Sequence, residues 1–208
     1  MIAIIDYHMG NLRSVAKAIE HIGGEAVITN DHDTITAADK IILPGVGGFP
    51  QGVKNLEKLS LINLIKDQIL SEKKPFLGIC LGMQLLAKKS YEFEETEGLS
   101  IIDAEICELP RPDETIKIPH VGWDDIDIKK KDVVFFNRIS SGDTFYFVHS
   151  FYMKNSKPED VVATCDYGIE FTCAVKKDNV FATQFHPEKS QEHGLDILYE
   201  FLIWEGQN

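Results

Sequence analysis

The chain has 208 residues, of which 44% are hydrophobic and 26% charged, a composition that suits one globular domain with a sizeable core and argues against disorder. Its net charge of −12 would repel a polyanion, which argues against nucleic-acid binding. No apolar run approaches the roughly 20 residues of a membrane-spanning helix, and the N-terminus lacks the basic region of a secretory signal, so we expect no association with a membrane.

The first half of the chain predicts alternating strands and helices. Residues 2–6 form a continuous apolar run typical of a buried strand, and residues 11–22 carry apolar side chains at helical spacing. Further predicted elements are strands at 26–29 and 40–43, a short helix at 34–38, and two helices within 56–70 that separate near Ser60. Strands buried on both faces with helices between them indicate a parallel sheet in a doubly wound α/β fold.

The second half predicts mainly antiparallel strands. They are expected at 101–109, 144–149, 161–164, 171–177 and 180–185. Asp178-Asn179 separates the last two as a two-residue hairpin turn, and a helix over 191–204 follows. The sequence therefore predicts a single α/β domain over residues 1–208, with a central, mostly parallel sheet, flanking helices and antiparallel strands in the second half.

The four cysteines show no paired spacing such as Cys-x-x-Cys; they are Cys80, Cys107, Cys165 and Cys173. This pattern argues against a zinc site and against a disulfide framework, so we expect no metal and no cofactor. Reduced thiols in a chain without a secretory signal predict a cytoplasmic protein.

One cysteine lies in the segment 78–82, Gly-Ile-Cys-Leu-Gly, between an apolar run and a helix predicted over 83–89. A strand-to-helix turn this tight strains the backbone of its central residue, and flanking glycines let neighbouring segments approach closely. This is the geometry of a nucleophile elbow, with sulfur in place of oxygen. A helix N-terminus would also favour the Cys80 thiolate. Because cysteines beside glycine also occur as ordinary core residues, both interpretations stay open.

A second cluster lies at 185–190, Phe-His-Pro-Glu-Lys-Ser. Pro187 cannot continue a central strand, so we expect His186 at the end of the strand 180–185. A cysteine nucleophile needs a base, and the base needs an orienting group. A His-x-Glu pair alone is common on surfaces, but together with the elbow it predicts a catalytic triad of Cys80, His186 and Glu188.

These two motifs resemble those of the class I, or triad, glutamine amidotransferases. Further segments resemble the glutaminase subunits of imidazole glycerol phosphate synthase: Met-Ile-Ala-Ile-Ile-Asp-Tyr (1–7), Gly-Asn-Leu-Arg-Ser-Val (10–15), Leu-Pro-Gly-Val-Gly (43–47), Pro-His-Val-Gly-Trp (119–123) and Phe-Val-His-Ser-Phe-Tyr (147–152). The resemblance runs from end to end. One departure is His8, where that family usually has glycine.

The resemblance implies hydrolysis of L-glutamine to glutamate and ammonia through a thioester on Cys80. The implied donors to the oxyanion are backbone amides at Leu81, Val46 and Gly47. The implied glutamine-binding residues are Gln84, His149, Ser150 and Phe151. For His149, a role as a satisfied histidine at a strand end is an equal alternative.

The resemblance also implies a partner, a (β/α)8-barrel synthase subunit that forms imidazole glycerol phosphate and aminoimidazole carboxamide ribotide in histidine biosynthesis. Free ammonia equilibrates with ammonium in water, and this chain shows no acceptor site, so a partner that receives the ammonia is expected. The residues expected at the heterodimer interface are Asn11, Arg13, His120, Trp123, Tyr146 and Lys189. Core packing is the competing role for Trp123.

Three other functions remain open. His8 and the segment 165–171 are compatible with a paralogous subunit that supplies ammonia for amidino-sugar synthesis on surface polysaccharides. A γ-glutamyl peptidase would keep the same triad and act without a partner. A silent binding module is disfavoured, because it has no need of Cys80, His186 and Glu188 together.

Overall fold

The computed structural model describes residues 1–206. Its strands are β1 (Ile2–Ile5), β2 (Ala26–Thr29), β3 (Lys40–Gly45), β4 (Phe76–Cys80), β5 (Lys89–Ser90), β6 (Thr96–Glu97), β7 (Ala104–Glu108), β8 (His120–Asp125), β9 (Asp127–Ile128), β10 (Thr144–His149), β11 (Phe151–Asn155), β12 (Val161–Asp166), β13 (Glu170–Lys177) and β14 (Val180–Thr183). Its α-helices are α1 (Leu12–His21), α2 (His32–Ala37), α3 (Phe49–Lys58), α4 (Leu61–Leu70), α5 (Leu81–Gln84) and α6 (Gln191–Ile203).

The parallel half of the main sheet has the order β2-β1-β3-β4-β14, and every neighbouring pair in it is parallel. Strands β1 and β4 are buried along their whole length, as their unbroken apolar sequences predicted. Alternate residues of β1 belong to two different apolar clusters, Ile2 and Ile4 to one and Ala3 and Ile5 to the other. Because side chains alternate across a strand, the sheet separates two cores, which is the doubly wound arrangement expected.

Antiparallel strands extend this sheet, which confirms the predicted fold class. From β14 the order continues through β13, β11 and β7, while β12 pairs with β13 and β9 with β12. The turn between β13 and β14 is Asp178-Asn179, with φ 50° at Asp178. Strands β8 and β10 form a separate antiparallel ribbon, in which His120 lies opposite His149 and Trp123 opposite Tyr146.

Three parts of the prediction need correction. The helix after Cys80 does not run over 83–89, because α5 has only four residues. The Leu85 and Leu86 carbonyls accept hydrogen bonds from the amides of Leu99, Ile101 and Ile102, which redirects the chain into β5. Helix α3 begins at Phe49, well before residue 56. The ribbon strand β8 was not predicted. Among the described residues, no helix has the length and apolar character needed to cross a membrane.

The first strand–helix loop accommodates the unusual histidine. His8 has a φ of 65°, the left-handed region that favours glycine, and its backbone amide donates to Asp6 Oδ1 at 3.0 Å. The local hydrogen bond stabilises a turn that a glycine would adopt without strain.

Candidate active site

Cys80 is the last residue of β4 and has the strained backbone that the motif predicts, with φ 54° and ψ −108°. The chain reverses into α5 so closely that a Cβ atom on Gly82 would lie 1.7 Å from the Leu43 carbonyl oxygen of β3. Only glycine fits at that position. The nucleophile elbow predicted from residues 78–82 is therefore present, and the Cys80 side chain is largely buried at its tip.

His186 and Glu188 follow β14, which pairs directly with β4. The backbone amide of His186 donates to the Tyr146 carbonyl oxygen at 2.9 Å, and its ring atom Nδ1 lies 2.8 Å from Glu188 Oε1. A carboxylate accepts hydrogen bonds, so Nδ1 is the donor.

The other ring nitrogen of His186, Nε2, is buried and has no hydrogen-bond partner among the described residues. Burial lowers the pKa of His186. The Cys80 sulfur and then Glu188 raise it by more than burial lowers it, so the pKa of His186 is about 10. The imidazolium form is thus favoured at neutral pH. The structure brings a cysteine sulfur, an imidazole and a carboxylate together at the ends of two adjacent parallel strands.

The cysteine opens into a cleft of about 600 Å³. Its walls include nine of the residues singled out in the sequence: Val46, Gly47, Cys80, Leu81, Gln84, His149, Ser150, Phe151 and Lys189. Gly47 has a φ of 106°, and the Met9 methyl group lies 2.8 Å from where a Cβ would stand, so this loop also needs glycine. A cleft of this size is adequate for an amino acid.

Two glutamine side chains connect the cleft wall to the sulfur. Gln84 Nε2 donates to the Phe151 carbonyl oxygen at 2.9 Å and to Gln184 Oε1 at 3.0 Å. Gln184 Nε2 in turn donates to Cys80 Sγ at 3.6 Å. Gln184 therefore couples the position of Gln84 to that of the sulfur.

A second polar chain reaches the same carbonyl group. His149 Nδ1 lies 2.8 Å from the Phe151 carbonyl oxygen, His149 Nε2 lies 3.0 Å from His120 Nδ1, and His120 Nε2 lies 2.6 Å from Asp124 Oδ2. Burial lowers the pKa of His149 to about 3. Burial also lowers the pKa of His120, while Asp124 opposes that effect.

Five of the six expected interface residues are at least partly exposed, and one of them, Lys189, lines the cleft. Asn11 and Arg13 are exposed, Trp123 is 44% exposed and in edge contact with the half-buried Tyr146, and the Lys189 ammonium lies 5.5 Å from the Tyr146 ring centre. His120 does not fit the expectation. Its side chain is buried between the stacked rings of Tyr167 and Phe147 and cannot itself contact a partner.

Sequence reasoning missed four residues here: Glu92, Phe93, Asp124 and Gln184. The Glu92 carboxylate lines the cleft and accepts the Phe49 amide at 2.6 Å. Gln184 stands two residues before His186 on the same segment, a signal that could have found it. Among residues 1–206, no group of three or more His, Cys, Asp or Glu side chains is arranged to hold a metal ion.

Comparison with known proteins gives a consistent result. The family model described as "Glutamine amidotransferase class-I" matches residues 3–204. The protein named imidazole glycerol phosphate synthase subunit HisH 1 from Campylobacter jejuni is 49% identical over 201 residues, which cover 97% of this chain and 98% of that protein. The HisH subunit from Caldanaerobacter subterraneus is 50% identical, with 97% of each chain covered, and that from Geobacter sulfurreducens is 47% identical, with 96% of this chain and 97% of that protein covered.

Solved structures show the same fold at low sequence identity. The structure titled PurLQS from Thermotoga maritima has a TM-score of 0.72 at 20% identity and covers 97% of this chain and 96% of that one. A putative GMP synthase subunit from Thermoplasma acidophilum also has a TM-score of 0.72, at 19% identity, covering 97% of this chain and 91% of that one. The family model over residues 3–204 and the full-length sequence matches show that the chain belongs to the class-I glutamine amidotransferase family.

Proposed function

We propose that this chain is the glutaminase subunit of an imidazole glycerol phosphate synthase. It hydrolyses L-glutamine at Cys80 and passes ammonia to a (β/α)8-barrel subunit that forms imidazole glycerol phosphate and aminoimidazole carboxamide ribotide in histidine biosynthesis. The observation that carries the proposal is the 47–50% identity, over nearly the whole chain, to proteins named HisH. The arrangement of Cys80, His186 and Glu188 supplies the chemistry.

In the first half-reaction, the Cys80 thiolate forms a bond to the side-chain amide carbon of glutamine, and the carbonyl electron pair moves onto oxygen. The backbone amide of Leu81 and an amide at Val46 or Gly47 donate to this oxyanion, and one such donor lowers the barrier by about 2.7–4 kcal/mol. His186 gives a proton to the amide nitrogen, the C–N bond breaks, and ammonia leaves a thioester behind.

In the second half-reaction, His186 removes a proton from water. The hydroxide oxygen bonds to the thioester carbon, the C–S bond breaks, and glutamate and the Cys80 thiolate are released. Glu188 accepts from His186 Nδ1 at 2.8 Å and so keeps Nε2 directed to the reacting atoms.

Glutamine itself needs partners for its charged α-groups. Both Nε2 protons of Gln84 are donated to protein acceptors, so its Oε1 atom is the part of the amide that can accept from a ligand. We assign Oε1 of Gln84 and the Glu92 carboxylate as the groups that bind the α-ammonium of glutamine. The backbone of His149, Ser150 and Phe151, beside Gly47, would bind the α-carboxylate. The lining of the cleft by all of these residues supports the assignment.

The partner would dock around the cleft mouth, at Asn11, Arg13, Trp123, Tyr146 and Lys189. Exposed apolar area beside a catalytic cleft supports this location, because such area is covered in complexes. Residues 1–208 would act as a single domain, which is supported by one sheet that joins both halves of residues 1–206. The biosynthetic relatives and four unpaired thiols support a cytoplasmic location.

The test is glutamate release by the purified chain, with and without its barrel partner and the nucleotide ligand of that partner. We expect slow hydrolysis alone, a strong increase with the complete partner, and loss of turnover in Cys80→Ala. Turnover retained by Cys80→Ala would refute the mechanism. Cleavage of γ-glutamyl peptides without a partner would favour a peptidase, and stimulation only by a sugar-pathway synthase would favour the surface-polysaccharide branch.

A further inference from the structure

Gln184 directly follows β14 and lies between the cleft wall and the reacting sulfur. The residue is fully buried, and its backbone amide donates to the Cys173 carbonyl oxygen of β13 at 2.8 Å, which fixes its place in the sheet. Its side-chain amide has two contacts: Oε1 lies 3.0 Å from Gln84 Nε2, and Nε2 lies 3.6 Å from Cys80 Sγ. The sulfur therefore has a buried polar neighbour that does not belong to the triad.

The orientation of the Gln184 amide follows from a backbone carbonyl. The Phe151 carbonyl oxygen only accepts, so the end of the Gln84 amide that lies 2.9 Å from it is the nitrogen. The same nitrogen can only donate, so Gln184 must present its oxygen to Gln84. A flip of either amide would set two acceptors or two donors against each other. The nitrogen of Gln184 is thus the end that faces the sulfur.

A nitrogen that faces the sulfur favours one protonation state of it. An amide N–H donates and cannot accept, so Gln184 favours the thiolate, which is the stronger acceptor. The Val148 carbonyl oxygen, 3.9 Å from the sulfur, has the opposite effect, because it accepts from the thiol. Of the titratable neighbours, the His186 imidazolium also favours the thiolate. The Tyr7 hydroxyl stays neutral, because burial and then the Cys80 sulfur raise its pKa.

We propose that Gln184 is a catalytic residue whose side-chain Nε2 donates a hydrogen bond to the Cys80 thiolate, with Gln84 and the Phe151 carbonyl holding that nitrogen in place. In the first half-reaction the sulfur electron pair forms the C–S bond, and the Gln184 donor loses its charged acceptor. When the C–S bond breaks in the second half-reaction, the same donor stabilises the thiolate as the leaving group. The effect on turnover rests on the proposed glutaminase function, whereas the hydrogen bond can be measured without substrate or partner.

Three variants separate the contacts of Gln184. Gln184→Met removes the donor to the sulfur and keeps a side chain of similar length, but it also removes the acceptor of Gln84. Gln84→Met breaks only that second contact and leaves Gln184 within reach of the sulfur. Thr183→Val is the matched control, because the buried Thr183 hydroxyl donates to the Phe185 carbonyl oxygen at 2.9 Å and not to the sulfur. Thermal unfolding checks the fold of each variant.

The ultraviolet absorbance of the thiolate, titrated against pH with Cys80→Ala as the blank, gives the first readout. We expect the midpoint at which the thiolate appears to rise by at least about one pH unit in Gln184→Met, the effect of losing a hydrogen bond to a charged group. Gln84→Met should move the midpoint by less than half as much, and Thr183→Val should leave it unchanged. An unchanged midpoint in Gln184→Met would overturn the proposal, as would an equal shift in either of the other two variants.

The NMR signals of the Gln184 side-chain amide give a second readout, which does not depend on how Gln184→Met folds. One of its two Nε2 protons should shift downfield as the thiolate forms, and this shift should be absent in Cys80→Ala. If both protons respond neither to pH nor to the loss of the sulfur, the amide does not donate to Cys80 and the inference is wrong.

The pH profile of kcat/KM for glutamine hydrolysis, with the barrel partner present, tests the catalytic role. The acidic limb of this profile reports the free enzyme, so in Gln184→Met it should move up by the same amount as the thiolate midpoint. A limb that stays in place while the midpoint moves would show that Gln184 is not catalytic. If the wild-type chain hydrolyses no glutamine while the absorbance and NMR results hold, the proposed function fails and the hydrogen bond to the sulfur stands.

Discussion

Replacing Gly82 with alanine is the sharpest single test of the elbow geometry. The new Cβ would lie 1.7 Å from the Leu43 carbonyl oxygen and 2.7 Å from its carbon, whereas ordinary contact begins at 3.4 Å. Both obstructing atoms are backbone, so no side-chain rotation relieves the overlap. Strand β3 is hydrogen-bonded to β4, with Gly45 opposite Cys80, and the sheet cannot widen without losing that pairing. Helix α5 must therefore shift by more than an ångström, and Cys80 must move with it.

The expected result follows from that displacement. A misplacement of about 1 Å at a reacting group costs about 100-fold in rate, and overpacking of a core costs about 1–3 kcal/mol of unfolding free energy. Gly82→Ala should thus lose at least about 100-fold in glutamine hydrolysis with the partner present. The control is Gly52→Ala in α3, whose Cβ would meet only flexible leucine methyl groups at 3.3–3.4 Å. Wild-type turnover and an unchanged denaturation midpoint in Gly82→Ala would refute the assigned geometry.

Three further substitutions test other parts of the site. Glu188→Gln removes a charge that raises the pKa of His186, so the pKa of His186 should fall below about 10 in an NMR titration. The kcat for glutamine hydrolysis should drop at least about 100-fold. An unchanged pKa of His186 would contradict the role of Glu188. Glu92→Gln should raise KM for glutamine about tenfold at nearly constant kcat, and a drop in kcat alone would exclude a binding role. The Tyr7 hydroxyl is buried without a hydrogen-bond partner among residues 1–206. Tyr7→Phe should therefore raise the free energy of unfolding by about 1 kcal/mol in urea denaturation. A loss of stability would show that the hydroxyl makes a hydrogen bond.

The elbow and the parallel strands could be predicted because their signals are local. Burial on both faces requires an unbroken apolar run, and a tight turn after β4 requires small residues around Cys80. The segment with His186 was found for a similar reason, since Pro187 ends the strand and leaves a short motif intact. In each case, neighbours in the sequence decide the conformation.

Strand β8 was not predicted, because its polar residues face the interior and its apolar residues face outward. Its inward-facing positions hold the polar His120 and Asp124, whereas Val121 and Trp123 face outward. Apolar alternation, which identifies a strand by its buried face, is therefore misleading here. The inward polar residues are the ones that build the chain to Phe151.

The early start of α3 depended on contacts that sequence spacing does not show. Pro50 and Gly52 lower the apparent helix propensity, yet Pro50 lies in the first turn, where proline is tolerated. The Phe49 amide, unsatisfied within the helix, donates to Glu92 from a segment 43 residues away. The same distant contact explains why Glu92 was missed as a member of the cleft.

The order in which the chain is synthesised matters for this site. Cys80 closes β4, but the strand that carries the imidazole comes last, and 104 residues separate Cys80 from Gln184. A nascent chain on the ribosome thus contains Cys80 long before His186 has been synthesised. Until β14 joins the sheet beside β4, Cys80 lacks the pair of His186 and Glu188 that the cleavage of the amide requires.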